Sequence, residues 1–315
     1  MALAISPLPA SAVQPVSGSA YTRPHALDFV KNVPKDLKAV GKSAVKKKNL
    51  PTLGLIVGST ALLMLFDQKL VYHSQQLGND LHITHTNYQK TLFTVPVGKA
   101  HFNVEGPFDS GSALYFIGDG WLEVLIAGGL LTYGFANSDN RAIRTTSEMA
   151  EAVLAAGLVA QALKHVTGRG SPFTQQANDD TWRFFPNQRD YAAHVASYDA
   201  FPSGHFTASM AVLTVAAENY PEHRWIRPVG YSLFGLLAFQ MMNNGVHWAS
   251  DYPLAIALGY SFGRVAASRG KHSSGSDLED ESSSLQFLPY VGNGGLGGFM
   301  VYRFGGRSSR EKSDS

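Results

Sequence analysis

The stretch Phe-Pro-Ser-Gly-His-Phe-Thr-Ala-Ser occupies residues 201–209, at the start of an apolar segment. Pro202 and Gly204 are typical of a turn, and Ser203 predicts a helix N-cap, which places His205 in the first helical turn. The free N–H groups of such a turn attract anions, and a histidine beside them can transfer a proton near neutral pH. The stretch by itself is equally compatible with an ordinary capping turn whose histidine is incidental.

Two further polar clusters flank this stretch, each at the end of an apolar segment. Residues 164–172 read Lys-His-Val-Thr-Gly-Arg-Gly-Ser-Pro, and residues 243–251 read Asn-Asn-Gly-Val-His-Trp-Ala-Ser-Asp. Cations, histidines and a carboxylate are the groups that phosphoryl transfer needs when no metal takes part. The three clusters together therefore predict a phosphate site without a metal.

Composition narrows the class of protein. The chain has 315 residues, 44% of them hydrophobic, which is enough for a sizeable core, and a formal net charge of only +2, which argues against a nucleic-acid partner. It has no cysteine, so disulfides, thiolate metal sites and thiol nucleophiles are excluded. Residues 1–20 lack the basic and apolar regions of a secretory signal.

Changes in composition predict five regions along the chain. Residues 1–48 form a disordered lead-in rich in Ser, Pro and Ala, followed by a basic flank with seven lysines, and residues 49–267 form the helical domain. Residues 268–284 read as a linker rich in serine and acidic residues, residues 285–306 as a β-hairpin, and residues 307–315 as a tail.

Six apolar segments indicate an all-α fold, a bundle with a core of about six helices, to which the C-terminal hairpin is added. They cover residues 49–66, 124–138, 152–163, 206–217, 229–242 and 252–263. The capping-box pattern from Thr145 to Glu148 predicts the start of the third helix, and Lys164 falls at its end.

The placement of basic residues favours a multi-pass membrane protein of the cell envelope. We take the lysine-rich flank as cytoplasmic and let all six segments cross. The outer loop of residues 67–118 then has only three lysines over a long span, whereas the shorter inner segments hold Arg141, Arg144, Arg224, Arg227, Arg264, Arg269 and Lys271, as the positive-inside rule requires. This topology puts the three polar clusters on the same outward-facing side. Most segments are shorter than the roughly 20 residues of an upright span, so a soluble, periplasmic bundle is the alternative.

The residue types suggest definite roles in phosphate ester cleavage. His247 can attack as a neutral imidazole, Asp251 can fix its tautomer, and His205 can supply the proton of the leaving group. The groups that can surround the phosphate are Lys164, Arg169 and the backbone N–H groups of Ser203 and Gly204. Each also has a structural interpretation: Asp251 as a helix cap, His247 as a core histidine, and the two cations as partners of a helix C-terminus.

These clusters resemble the signature of the type-2 phosphatidic acid phosphatase and vanadium-dependent haloperoxidase superfamily, which reads Lys-x6-Arg-Pro, Pro-Ser-Gly-His and Ser-Arg-x5-His-x3-Asp. The second motif is complete at residues 202–205, and the third keeps His247 and Asp251. The resemblance covers residues 53–264. It implies a bundle of about six helices, a phosphohistidine on His247, a proton donor at His205, and phosphate ligands at Lys164, Ser203 and Gly204.

Two departures from the signature put the phosphate cradle in doubt. Ser171 stands at the arginine position of the first motif, and Gln240-Met241 replaces the Ser-Arg pair of the third. The candidate replacements are Arg169, Arg183, Arg189, Asn243 and Asn244, and of these we include Arg169 and Asn244 among the predicted phosphate ligands.

We therefore expect a phosphatase that needs no cofactor or metal and acts on a phosphate monoester or diphosphate, with a lipid phosphate as the preferred substrate class. The sequence does not indicate an oligomeric state. The alternatives are a vanadate-dependent haloperoxidase and a non-catalytic phosphate-binding or structural protein of the envelope.

Overall fold

The computed structural model describes residues 21–98, 100–174 and 182–269, together with the backbone of residues 284–292 and 295–303. The predicted linker, the terminal tail and most of the predicted lead-in lie outside these residues. The chain divides into two compact units, Met1–His272 and Ser273–Ser315.

The first unit is built from eleven α-helices and a hairpin within its described residues. In chain order they are α1 (Asp28–Lys31), α2 (Val33–Ala44), α3 (Leu50–Met64), α4 (Asp67–Asp80), β1 (Gln89–Val97), β2 (Ala100–Pro107), α5 (Ser110–Tyr115), α6 (Trp121–Ala136), α7 (Asn140–Thr167), α8 (Gln188–Ala193), α9 (Gly204–Asn219), α10 (Ile226–Asn243) and α11 (Tyr252–Ser268). The mostly α-helical fold class is confirmed, and each of the six apolar segments coincides with a helix, namely α3, α6, α7, α9, α10 or α11.

The predicted start of the third helix is wrong. Helix α7 begins at Asn140, because Asp139 accepts hydrogen bonds from the N–H groups of Arg141 and Ala142 and caps it. Thr145 and Glu148 lie inside the helix, where Thr145 donates to the Arg141 carbonyl and Glu148 pairs with Arg144. A Thr-x2-Glu pattern is thus used for packing and ion pairing rather than for capping.

A single long outer loop was predicted for residues 67–118. This stretch instead contains α4, the β1–β2 hairpin and α5. The two strands pair antiparallel from Gln89↔Pro107 to Val97↔Ala100. Residues 91–97 are rich in Thr and Val and end at Gly98, which has a φ of 63°, a composition that is typical of a hairpin and that was not recognised from the sequence.

The core of the first unit lies between α7, α9 and α11, with α6 and α10 packed outside them. One apolar cluster joins Phe206 and Met210 of α9 to Leu237 and Met241 of α10 and to Tyr252 of α11. A second joins Met149 of α7 to Val215 and Ala266. Helix α2 covers α7 and α11 through Val33, which packs with Ala155, Ala156 and Phe262.

The second unit contains the predicted C-terminal hairpin. Strand β3 (Ser284–Gly292) pairs antiparallel with β4 (Gly295–Arg303), in the register Ser284↔Arg303 to Gly292↔Gly295.

By length and apolar composition, one described helix, Asn140–Thr167, could cross a membrane. Two bent pairs, Lys47–Met64 with Asp67–Asp80 and Ser110–Gly118 with Trp121–Ala136, pass the same criteria if each pair forms one span. The described residues therefore offer one to three spans on these criteria, fewer than the six crossings that the sequence analysis considered.

Candidate active site

Four helix ends meet at one end of the bundle and bring the three polar clusters together. Helix α7 ends at Gly168, whose left-handed backbone (φ 54°) suits glycine and turns the chain so that Arg169 points back into the protein. Helix α9 begins at Gly204, α10 ends at Asn243, and a short 3-10 turn over Ala249–Asp251 leads into α11. Residues far apart in the chain thereby share one site.

His205 and His247 face each other across this site. The Nδ1 atom of His205 lies 3.4 Å from the Nε2 atom of His247, and the ring planes are inclined by 77°. His247 is 3% exposed, so its ring is held by the surrounding protein. One proton acceptor and one proton donor could therefore act on the same bound group.

Asp251 orients His247. Its Oδ2 atom lies 3.2 Å from His247 Nδ1 and accepts the Trp248 N–H at 2.8 Å, and its side chain is fully buried. Asp251 occupies the N-cap position of α11, yet its side chain makes no capping hydrogen bond to that helix. With Nδ1 donating to Asp251, His247 presents the lone pair of Nε2 toward His205.

Arg169 binds carboxylates of the protein. Its Nη1 atom donates to Asp251 Oδ1 at 2.5 Å and to Ser250 Oγ at 2.7 Å, and its Nη2 atom donates to Asp67 Oδ2 at 2.7 Å. The guanidinium is 3% exposed and lies over the ring of Trp248. Arg169 was predicted as a phosphate ligand. It instead neutralises Asp251, because two buried carboxylates require a cation between them.

Lys164 lies beside the first turn of α9. Its Nζ atom is 3.4 Å from the position that a Cβ atom on Gly204 would occupy, and 3.3 Å from Asp199 Oδ2. The N–H groups of Gly204 and His205 have no acceptor among the described residues. An ammonium group and two free N–H groups at the start of a 16-residue helix form a cradle suited to an anion.

The backbone of Ser203 joins the cradle to Asp251. Its N–H donates to the carbonyl oxygen of Asp251 at 3.2 Å, so this N–H, predicted to bind phosphate, is already used. The Ser203 hydroxyl accepts the Phe206 N–H at 3.4 Å and caps α9, as the sequence predicted. The residue therefore fixes the distance between the start of α9 and the turn that carries Asp251.

The positions of the two family arginines hold no cation. Ser171 is buried, and Met241 lies in the apolar core. Among the candidate replacements, Arg183 lies over the ring of Tyr198, and Asn243 donates to the Thr84 carbonyl and to Gln240. Arg189 is exposed on α8.

Asn244 differs from the other candidate replacements for the family arginines. Its Nδ2 atom is buried and has no hydrogen-bond partner in the part of the chain that the structure describes, while its Oδ1 atom accepts the Val246 N–H at 3.2 Å. It thus keeps an unpaired amide donor three residues before His247 in the chain.

Three side chains at the site were not among the residues predicted from the sequence: Asp67, Asp199 and Tyr115. Asp67 is the first residue of the polar helix α4 and Asp199 lies in a long loop, so neither has a local pattern that predicts a partner. Tyr115 lies in a short helix within the supposed outer loop, and its hydroxyl is 2.7 Å from His205 Nε2. Asp67 is nonetheless 2.7 Å from Arg169, and all three side chains reach the site only through the tertiary fold.

Comparison with known proteins supports the resemblance inferred from the motifs. Residues 146–271 match the family model described as the PAP2 superfamily. A search of curated proteins and a search of solved structures each returned no match to this chain. The matched segment contains all of the predicted site residues, from Lys164 to Asp251. Phosphatase-type or haloperoxidase-type activity is what this match suggests, and the segment 146–271, which holds the two facing histidines, is similar to the PAP2 superfamily.

Proposed function

We propose that this protein is a metal-independent phosphatase of lipid phosphate monoesters or diphosphates that works through a phosphohistidine. The observation that carries the proposal is the pair of histidines, with His205 Nδ1 3.4 Å from His247 Nε2 and Asp251 bound to the far side of His247. This is the arrangement of an orienting carboxylate, a nucleophile and an acid.

In the first step His247 acts as the nucleophile. The lone pair of Nε2 attacks phosphorus, the bond between phosphorus and the ester oxygen breaks, and that oxygen takes a proton from His205. Burial and the neighbouring His247 and Lys164 lower the pKa of His205 in the empty site, and the negative charge of the bound phosphate counteracts this and stabilises the imidazolium. The Nδ1 proton of His247 stays bound to Asp251, whose negative charge stabilises the phosphorylated ring. Lys164 and the N–H groups of Gly204 and His205 hold the equatorial oxygens.

In the second step water releases phosphate. His205, now neutral, takes a proton from a water molecule while the water oxygen attacks phosphorus and the P–N bond to His247 breaks. The products are inorganic phosphate and the regenerated imidazole pair, with His205 again protonated. One histidine thus serves first as acid and then as base, as microscopic reversibility allows.

An apolar cavity beside the site supports an amphiphilic substrate. It has a volume of about 460 Å³ and lies between α6, α9 and α10, with a lining that includes Leu130, Val212 and Leu233. Ser209, one helical turn after His205, also lines it. We place the hydrocarbon chain of the substrate in this cavity, whose lining includes neither His205 nor His247 and reaches toward the site at Ser209.

Exposed apolar side chains support a location in the membrane of the cell envelope. They stand on three helices: Leu55, Val57 and Leu62 on α3, Val124, Leu125 and Phe135 on α6, and Val229, Tyr231 and Leu236 on α10, all more than 45% exposed. Contiguous apolar surface of this kind favours contact with lipid. We place the site end of the bundle on the outer side, opposite the arginine-rich loops.

The test is release of inorganic phosphate from a long-chain alkyl phosphate in detergent micelles, without added metal. We expect turnover that vanadate inhibits and that His247→Ala reduces by at least about 10³-fold, the scale of losing a nucleophile. The matched control is His165→Ala, because His165 neighbours Lys164 but stacks on Tyr191, outside the site. Full activity in His247→Ala would refute the mechanism.

Two further measurements distinguish the phosphatase from the alternative functions. Binding of vanadate without turnover on any phosphate ester would indicate the non-catalytic protein. Oxidation of halide by peroxide in the presence of vanadate would indicate the haloperoxidase.

A further inference from the structure

Tyr115 closes a continuous chain of polar contacts that passes through both histidines. Its hydroxyl lies 2.7 Å from His205 Nε2, and the two rings meet edge to face at 5.1 Å. His205 Nδ1 faces His247 Nε2, and His247 Nδ1 faces Asp251. Tyr115 is therefore on the opposite side of His205 from the reacting group.

When both histidines are neutral, one arrangement of protons satisfies all of these contacts. With the His247 proton on Nδ1, bound to Asp251, His247 Nε2 can accept the His205 Nδ1–H, and His205 Nε2 then accepts the Tyr115 hydroxyl. Which nitrogen of a histidine carries the proton is set by the partner of the other nitrogen. The Tyr115 hydroxyl thus directs the Nδ1 atom of His205 toward the phosphate.

A hydroxyl suits this position because it can both donate and accept. When His205 is the imidazolium, its Nε2–H donates to the Tyr115 oxygen. After Nδ1 has given its proton to the leaving oxygen, the ring keeps the Nε2–H and its bond to Tyr115. The ring is therefore held in one orientation in both protonation states.

The environment of Tyr115 supports a fixed partner. Its side chain is 7% exposed and packs in the cluster of Phe206, Met210 and Leu237. Helix α5 is anchored by Asp109, which accepts the Ser112 N–H at 2.8 Å and the Thr86 hydroxyl at 2.6 Å. Burial by itself would raise the pKa of Asp109, but these hydrogen bonds outweigh it and lower the pKa to about 2. Asp109, the N-cap residue of α5, therefore stays ionised at neutral pH.

We infer that Tyr115 is a positioning residue for His205, which it orients for proton transfer to the leaving oxygen. The inference rests on the proposed phosphatase activity. It adds Tyr115, which lies outside the matched segment 146–271, to the residues that serve that activity.

The experiment compares kcat/KM of Tyr115→Phe on two substrates, a long-chain alkyl phosphate and p-nitrophenyl phosphate. The alkyl oxygen needs a proton to leave, whereas p-nitrophenolate leaves without one. We expect a loss of about tenfold on the alkyl phosphate, the scale of one hydrogen bond, and less than about twofold on p-nitrophenyl phosphate, with KM unchanged.

The matched control is Tyr252→Phe. Tyr252 lies in the same apolar cluster and stacks on Phe206, but its hydroxyl donates to the Ala238 carbonyl at 3.1 Å. We expect both substrates to be cleaved by this variant at rates within about twofold of the native protein. An equal loss on both substrates in Tyr115→Phe would show a merely structural role and overturn the inference.

A second measurement keeps the inference independent of turnover. In protein labelled with ¹⁵N-histidine, the imidazole signals of His205 are assigned by their loss in His205→Gln. We expect Tyr115→Phe to shift these signals, and unchanged signals would overturn the inference. If the native protein cleaves no phosphate ester but the signals shift, the contact stands and the proposed phosphatase function fails.

Discussion

At the level of single residues, the site has no surplus of positive charge. Its two cations, Lys164 and Arg169, are matched by Asp199, Asp251 and Asp67. Of the carboxylates near Arg169, Asp251 holds His247, the nucleophile that we propose, and Asp67 binds Arg169 itself. Asp199 differs, since it competes with an incoming phosphate for Lys164. The balance suggests a site that binds phosphate weakly and releases its product readily.

We predict that Asp199→Asn tightens the binding of phosphate and vanadate. The variant keeps the shape of the side chain but removes the charge that pairs with Lys164, and a partly exposed ion pair contributes about 0.2–1 kcal/mol. The inhibition constant of vanadate should therefore fall by about two- to fivefold, as measured in the phosphatase assay.

The control is Asp190→Asn on α8, where the carboxylate pairs with His194 and is half exposed. Its inhibition constant should match that of the native protein. Weaker inhibition of Asp199→Asn by vanadate would contradict the prediction and would mean that Asp199 holds Lys164 in its active position.

At the level of secondary structure elements, the site depends on the close approach of α9 and α11. Gly259 of α11 lies so near α9 that an added Cβ atom would be 2.4 Å from the Thr207 carbonyl oxygen and 2.9 Å from the Ala211 nitrogen. Gly263, one turn later, approaches the Ala211 carbonyl oxygen in the same way, at 2.9 Å. Small residues four apart let two helix backbones pack tightly. Because His205 begins α9 and Asp251 precedes α11, this packing sets the distance between them.

We predict that Gly259→Ala destabilises the protein by about 1–3 kcal/mol, the usual cost of overpacking a core, and lowers activity with it. Backbone atoms cannot move aside as a flexible side chain can, so the helices must separate. The measurement is thermal unfolding in detergent followed by circular dichroism, with phosphatase activity on the same samples.

Gly235→Ala on α10 is the matched control, because an added Cβ atom there meets nothing within 4 Å. Alanine favours a helix over glycine by up to about 1 kcal/mol, so this variant should be as stable as the native protein or more so. Equal effects of the two substitutions would argue against a tight contact between α9 and α11.

At the level of the whole molecule, charged side chains have different partners at the two ends of the bundle. At the end away from the site, Arg141 pairs with Glu222, Arg227 with Glu218, and Arg269 with Asp36 and Glu151. The hydrogen bond from Arg141 lowers the pKa of Glu222, so this pair stays charged at neutral pH. These pairs tie the helix ends to one another and attach α2 to the bundle. The arginines therefore serve packing as well as the membrane orientation that we propose.

The orientation can be tested in a chain that has no cysteine of its own. We predict that a membrane-impermeant maleimide labels Ala193→Cys, at the site end, in intact cells. Arg224→Cys, between α9 and α10, should react only after the cells are opened. Both positions are exposed, so accessibility within the protein is matched.

The native chain provides the background control for labelling, and retention in the membrane pellet after alkaline carbonate washing provides an independent check. The reverse labelling pattern would overturn the proposed orientation. Release of the protein by carbonate would favour the soluble bundle.

The sequence by itself determined the six apolar helices and the candidate reacting groups. Apolar segments, Ser203 as a cap and the Pro-Ser-Gly-His stretch act over a few residues, and local spacing was therefore sufficient to predict α9, the position of His205 and the pairing of His247 with Asp251. The start of α7 was misplaced because two capping patterns compete within ten residues, and the stronger one is Asp139.

Only the tertiary structure decided which polar groups share the site. Asp67 and Ser250 bind each other although they are 183 positions apart, and Tyr115 reaches His205 from a helix 90 positions away. The partner of Arg169 was unpredictable for the same reason, since a free cation and a cation buried between aspartates look alike in sequence. Whether a charged side chain meets a substrate or another part of the protein depends on burial, and burial follows from how the helices pack.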